Sequence, residues 1–527
     1  MTRPSLYRSA AVVAFMTLLS RLTGLAQTFF LSHFLGAGPA ADAFAVAFRL
    51  PNLLRRFTAE GTMTAAFLPT LAEAEAAEGE DALRTAAGRF LGTLLFLLLC
   101  GVALVLLLMG PLAWLLMTGR SPQEQAFTAL LSRIMFPYLA LVSLTAGFAG
   151  LLNLRHRFGL ASAVSIFWNL AFIGFAWAGI AWRRHGGPLA PEGVAVVCAL
   201  AVLGGGVVQL LALVPAVRKE GFGLSFGAHF SDPWVAKALG RMAPGLLAAG
   251  IYPINALVSA HLASRLPAGA QIVLFNSGMM GEMVLGLFAM SLATASLPSL
   301  ARLAEARDWK GMNDGLNQAL ATSALLVIPA SVGLAVLARP ICALLFRTGA
   351  YGTAAADWTA ATIVLQCVGL VFAATQRLGN QALYALKDYR GPAAIAILTL
   401  FVNIGLSLAL LRPLGTGGLA LANGLSSLVG MLLLLGRLGP RLPDFGLGPV
   451  LSSAARILGA SAAMGLLAWA GATRLGLDAP HGFTRVLLGL RLLPLIALCA
   501  GLYLGLVLAA RVPEARGILG ALRRRLA

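Results

Sequence analysis

The sequence predicts an all-α polytopic membrane protein: about fourteen transmembrane helices, arranged as two pseudo-symmetric six-helix lobes plus two C-terminal helices. Three observations carry this. The chain of 527 residues is 59% hydrophobic and only 11% charged, and a soluble domain carries roughly twice that charged share. Apolar runs recur from end to end. Many reach the ~20 residues that a helix needs to cross a hydrocarbon core of about 30 Å, and a helix satisfies its own backbone bonds there. Finally, segments of the first half reappear in the second at one fixed offset.

Taken in order, the spans lie near 9–35, 42–70, 90–117, 126–152, 159–182, 193–217, 235–263, 270–300, 313–345, 353–384, 392–411, 417–436, 450–473 and 486–510. The second and eighth are the least hydrophobic. The first lacks a small-residue cleavage site after it and reads as a retained helix. Connecting loops are short, which leaves no extramembrane domain. Five scattered cysteines, Cys100, Cys198, Cys342, Cys367 and Cys499, make no CxxC pair. They read as small core residues, with neither a disulfide frame nor a metal site. No cofactor is expected.

The net charge of +19 would suggest nucleic acid on a soluble protein. No nucleic-acid motif accompanies it, and the basic residues sit mostly in short loops. "LRHRF", "VRKEGF", "ARDWKG", "LKDYRG" and the tail "ALRRRLA" fall on one side when loops alternate. With the N-terminus that side holds roughly twenty Lys and Arg against roughly eight opposite, so both termini are expected in the cytoplasm. The acidic "EAEAAEGED" (73–81) lies on the same side; acids weigh little in this rule.

The repeat is specific. "FLPTLAEA" (67–74) resembles "SLPSLARLAEA" (296–306), and "GPLAWLLMTG" (110–119) resembles "RPICALLFRTG" (339–349). Pro69 and Pro298 are 229 positions apart, as are Pro111 and Pro340. A looser match joins "RHRFGLASAVSIFWN" (155–169) to "KDYRGPAAIAILTLFVN" (387–403). Residues 1–220 and 221–440 are therefore expected to form two lobes of like orientation, with 441–527 as a separate helix pair. Transporters built this way hold their substrate near mid-membrane between the repeats.

Charged residues within spans mark the expected site, because an arginine at a helix centre costs roughly 2.5–3.5 kcal/mol on insertion scales. Arg21 lies near the middle of the first span. Arg55 and Arg56 follow Pro51 in the second, where proline removes a backbone donor and loosens the helix. On an ideal helix Asp42, Arg49, Asn52, Arg56 and Glu60 share one face, with Arg55 on a neighbouring one. Arg56 and Glu60 also have the spacing of a plain i,i+4 ion pair. The arginine fork suits phosphate, so the cluster reads as an anion site with Glu60 restraining an arginine when the site is empty. Glu282 is an intramembrane acid of the eighth span, read equally as a site residue or as a satisfied acid at a helix bend. Asn169 and Asn403 occupy matched places and read as glue between helices. Lys237 and Arg241 read as snorkelling side chains.

"GAGPAADAFAVAFRLPNLLRRFTAEGTMTAAFLPTLAEA" (36–74) closely resembles the signature of the MurJ/MviN family of bacterial lipid II flippases. "LLFRTGAYG" (344–352), "ALYALKDYRGPA" (382–393) and "LPSLARL" (297–303) are similar to further family segments. The resemblance implies the fold of the multidrug/oligosaccharidyl-lipid/polysaccharide exporter superfamily. It implies a task in peptidoglycan biosynthesis, and so in cell-wall growth and cell shape. The cargo would be undecaprenyl-diphosphate carrying the peptidoglycan precursor, moved across the bacterial inner membrane by alternating access. By position, Arg21, Asp42, Arg55 and Glu60 match functional residues of the family. Gln27, Thr28 and Met279 stand where the family usually has charged residues. Those departures keep two alternatives open: a flippase for another polyprenyl-linked oligosaccharide, and a drug/cation antiporter of the same superfamily. A membrane enzyme would need a carboxylate or metal constellation at a membrane face, which the sequence does not offer.

Overall fold

The computed structural model describes residues 3–58, 62–184, 189–249, 251–388, 390–442, 445–477 and 484–517. Helices follow one another with little between them, as a chain with no water to satisfy its backbone must. The first stretch holds α1 (Arg3–Leu35), α2 (Pro39–Thr58), α3 (Thr62–Glu78), α4 (Glu80–Leu107), α5 (Met109–Leu116), α6 (Pro122–Met135), α7 (Tyr138–Leu154), α8 (Phe158–Arg184) and α9 (Pro191–Lys219). Next come α10 (Pro233–Ala249), α11 (Ile251–Ala263), α12 (Ala270–Val284), a π-helical turn at Leu285–Ala289, and α13 (Met290–Glu305). The rest is α14 (Trp309–Val336), α15 (Ala338–Leu345), α16 (Gly352–Ala385), α17 (Arg390–Leu438), α18 (Gly448–Arg474) and α19 (Arg485–Ala509). No strand occurs among the described residues. Within α17 the backbone breaks at Gly415 (φ 55°, ψ −129°), just after Pro413. It therefore comprises two helices, as the sequence spacing around 411–417 predicts.

Ten stretches of the described residues are long and apolar enough to cross a membrane. The expected second and seventh spans each cross residues outside the described ones, at 59–61 and 250, and the eighth contains the π turn at Leu285–Ala289. In α8 and α19 only 22% of the apolar stretch is buried within the protein, so most of it faces outward. Trp182 of α8 and Val486 of α19 are strongly exposed on such faces. Lipid is as apolar as these side chains, so helix association there rests on close packing rather than on the hydrophobic effect. Gly369 of α16 and Gly424 of α17 show how close. A Cβ on Gly369 would stand 2.1 Å from the Gly424 Cα.

The repeat is visible in the element bounds. The helices α4 and α14 each have 28 residues and begin at 80 and 309. Each stops at one non-helical leucine, Leu108 or Leu337, and an eight-residue helix follows, α5 or α15. Starts, breaks and stops all keep the offset of 229 between the two prolines in the sequence.

By compactness the chain divides into residues 1–272 and 273–527. The first unit includes α10 and α11, which the repeat assigns to the second copy. Ionic ties explain this. Glu73 of α3 meets Lys237 and Arg241 of α10, both at 2.9 Å. Arg89 of α4 meets Asp232 at 2.7 Å, and the Trp234 indole donates to Glu78 at 3.1 Å. Lys237 and Arg241 thus have ionic partners rather than simply snorkelling. The acidic run from 73 to 81 is also accounted for, because Arg155 reaches Glu80 at 2.7 Å and Glu75 at 3.7 Å.

Candidate functional site

The helix α2 changes character along its length. Residues 40–47 are buried all round, whereas Phe48, Arg49, Asn52, Leu54 and Arg55 are half-exposed, and Leu50, Pro51 and Leu53 remain buried. Pro51 lies within the helix. Arg49, Asn52 and Arg55, spaced three apart, therefore make a partly open strip along this part of α2. Arg55 lies near enough to Tyr138 of α7 for its charge to act there. The side chain of Arg56 and all of Glu60 lie outside the described residues.

Asp42 is divided from this strip. It is on the same helical phase but in the sealed part of α2, with a fully buried side chain. One carboxylate oxygen accepts from the amides of Gln271 (2.9 Å) and Ile272 (3.1 Å). The other accepts from the amide of Gly269 (2.8 Å) and from Arg120 (2.9 Å). Three of these donors are the opening amides of α12, where a carboxylate is favoured by unpaired N–H groups and by the helix dipole. Arg120 itself is only 9% exposed and also donates to the Pro267 carbonyl at 3.0 Å. Nearby, the Gly119 amide donates to the Ser264 hydroxyl at 3.2 Å. The loop after α5, the start of α2 and the loop before α12 are thus clasped together by one acid.

Arg21 is exposed on α1. Its neighbours Ser20 and Thr23 hold α1 to α8: the Asn169 amide donates to the Ser20 carbonyl at 3.2 Å and to the Thr23 hydroxyl at 2.9 Å. Asn169 is therefore the inter-helix tie read from the sequence. Asn403 is one as well, bonded within α17 to Ser426 across the Gly415 break at 3.3 Å. Both α1 and α2 pack on α9.

In the second unit, Glu282 of α12 accepts from Arg377 of α16 at 3.0 Å, and both are partly exposed. The pair sits one turn before the π segment, so the acid has an ionic partner within the bundle. Sequence reasoning passed over Arg377, although an arginine inside the tenth span is the same signal that singled out Arg21 and Arg55. Arg120 gave no such signal, because it lies in a loop where a lone arginine is ordinary. Among the described residues no group of histidine, cysteine or acidic side chains could hold a metal ion.

Arg49 and Arg55, half-buried on one helix, are of the residue type that binds phosphate by charge-assisted, bidentate hydrogen bonds. They offer no nucleophile or general base. Residues 31–477 match the family model described as lipid II flippase MurJ. A probable lipid II flippase MurJ of Rhizobium meliloti (strain 1021) is 33% identical over 439 residues, covering 82% of this chain and 81% of the relative. The lipid II flippase MurJ of Burkholderia cenocepacia is 31% identical over 441 residues, covering 82% and 83%. Among solved structures, a lipid II flippase MurJ in an inward closed conformation superposes with a TM-score of 0.75 at 21% identity, over 94% of this chain and 98% of that one. An inward-facing multidrug resistance transporter of the MATE family gives 0.66 at 14% identity, over 83% and 98%.

Proposed function

The chain belongs to the lipid II flippase MurJ family, and from that membership we propose that it moves lipid II across the bacterial inner membrane, from the cytoplasmic to the periplasmic leaflet. It is a transporter, and the cargo's bonds are left intact. The observation that supports this most directly is the open strip of Arg49, Asn52 and Arg55 on α2, beyond Pro51. A diphosphate entering a bilayer loses water, and arginine forks replace those hydrogen bonds in planar, paired geometry. Arg21 on α1 and, by position, Arg56 join them, while Glu60 holds an arginine when no cargo is bound. The sugar-peptide occupies polar space and the lipid tail stays in the bilayer. A drug-cation antiporter would need acids on that strip, and the strip is basic.

In this reading the lobes are residues 1–220 and 221–440, with 441–527 as a helix pair; fourteen spans would leave both termini on one side, and the basic loops favour the cytoplasm for it. Transport follows the alternating access usual for repeat-built carriers. Asp42 serves the cycle as a clasp: its bonds to Arg120 and to the start of α12 hold shut the end of the bundle away from the cytoplasm, and they break when that end opens.

Arg55→Ala tests the site. A hydrogen bond to a charged group contributes about 1.5–3 kcal/mol, so transport of lipid II in reconstituted vesicles should fall roughly 10- to 100-fold, with Arg55→Lys intermediate. Full transport by a well-folded Arg55→Ala protein would remove Arg55 from the site.

A further inference from the structure

A cavity of about 380 Å³ opens on the first unit where the loop between α7 and α8 meets the end of α9. His156, Arg157, Phe158, Gly159, Lys219 and Glu220 line it. Arg157 is paired with Glu220 at 3.0 Å. Lys219 is exposed and takes no partner among the described residues, and His156 is exposed against the ring of Phe158. One positive charge is therefore uncompensated. The floor is the first turn of α8, whose opening amides no side chain among the described residues caps.

The second copy shows what completes such a place. There the loop between α16 and α17 makes the same turn. Lys387 is left-handed (φ 58°), as His156 is (φ 60°). The next amide bonds back to the helix, Asp388 to the Leu383 carbonyl and Arg157 to the Leu152 carbonyl. Asp388 thus stands where Arg157 stands. Its carboxylate accepts from the Gly391 amide at the start of α17, and from Arg437 and Arg441 at the far end of that helix. In the first copy the polarity is reversed: the loop is basic, the helix end supplies Glu220, and among the described residues no carboxylate bonds to the opening turn of α8. A third feature points the same way. All four left-handed non-glycine residues described are basic: His156, Arg307, Lys387 and Arg511. Each occupies the turn after a helix where glycine is usual, and each lies on the side assigned to the cytoplasm. A strained backbone is thus kept for a positive charge at a carboxyl-terminal helix end, on the face that meets anionic lipid.

We propose that the cavity of His156, Arg157, Lys219 and the first turn of α8 binds a phosphate monoanion, the phosphodiester headgroup of an anionic phospholipid, in the place that the Asp388 carboxylate fills in the second copy. The leaflet rests on the orientation proposed above; the site itself does not. The one spare positive charge matches the single negative charge of a phosphodiester.

The test reverses the polarity. The double variant Arg157→Asp/Glu220→Arg keeps the ion pair and gives the first copy its own carboxylate. The full-length protein in detergent is titrated with phosphatidylglycerol, phosphatidylcholine or inorganic phosphate, and bound ligand is read by native mass spectrometry. Wild type should hold phosphatidylglycerol at least tenfold more tightly than phosphatidylcholine, and the double variant should lose that preference at an unchanged thermal midpoint. Lys219→Gln, which leaves the pair intact, should weaken the first bound phosphatidylglycerol severalfold. Should inorganic phosphate alone bind wild type and not the variant, the phosphate site stands with a soluble ligand as its source. Equal phosphatidylglycerol and phosphate binding by wild type, Lys219→Gln and the double variant overturns the proposal.

Discussion

Asp42 and Asp388 are both nearly sealed carboxylates, and each is tolerated because its donors arrive from elsewhere in the fold. Breaking a buried pair by removing one partner costs about 3–5 kcal/mol. Asp42→Asn leaves Arg120 without its counter-charge, so the solubilised protein should lose stability of that order in thermal or denaturant unfolding. Asp42→Asn/Arg120→Met should recover much of the loss. Asp388 belongs to a loop, and the hydrogen bond from Arg437, with the Gly391 amide and the charge of Arg441, holds its carboxyl below the ordinary 3.8 despite burial. A carboxyl depressed in the folded state stabilises fully above its unfolded value, and that contribution is lost as pH falls through the folded one. The melting temperature of wild type should therefore decline on acidification below about 3.8, and Asp388→Asn should melt lower at neutral pH with a flatter acid limb. At this scale the sequence was partly legible. Intramembrane charge flagged Arg21, Arg55 and Glu282, and the same rule applied to the tenth span would have found Arg377. The partners of Asp42 were not legible, since three of them are backbone amides 227 to 230 positions away.

Among the elements, most of the uniformly apolar spans were read to within a few residues, because length and hydropathy alone define them. The third was not, since α4 begins at Glu80 and breaks at Leu108, and neither was the π turn of the eighth. A π turn leaves no periodic trace, and helical phase continued through α2 placed Asp42 with arginines that burial separates from it. The π turn at Leu285–Ala289 carries one residue more than an α-helix needs, a feature common at functional sites. Deleting Leu287, which is 53% exposed, should let α12 and α13 run on as one α-helix and rotate α13 by about 100°. The variant should insert and stay folded by size-exclusion and melting behaviour, yet transport at a small fraction of the wild-type rate.

Over the whole molecule, the duplicated plan was legible from two proline pairs, because the offset they share also governs where α4, α5, α14 and α15 begin and end. Compactness follows a different rule. The salt bridges of Glu73 and Asp232 draw α10 into the first unit, and a hydropathy profile carries no record of such pairings. Orientation rests on the basic loops, with roughly twenty Lys and Arg against eight. A reporter fused after Ala527 should accordingly be active when it requires the cytoplasm and silent when it requires the periplasm; the opposite pattern reverses every loop assignment.

The clasp on Asp42 also has a timetable. Its guanidinium partner follows it by 78 positions in the chain, and the first of its amide partners by 227. At synthesis rates of about 5–20 residues per second, Arg120 leaves the ribosome about 4–16 s after Asp42, and the opening of α12 about 11–45 s after. For the interval between, the growing chain holds a carboxylate destined for burial with one arginine as its only native companion. Arg120 is thereby a partner during biogenesis as well as in the finished protein.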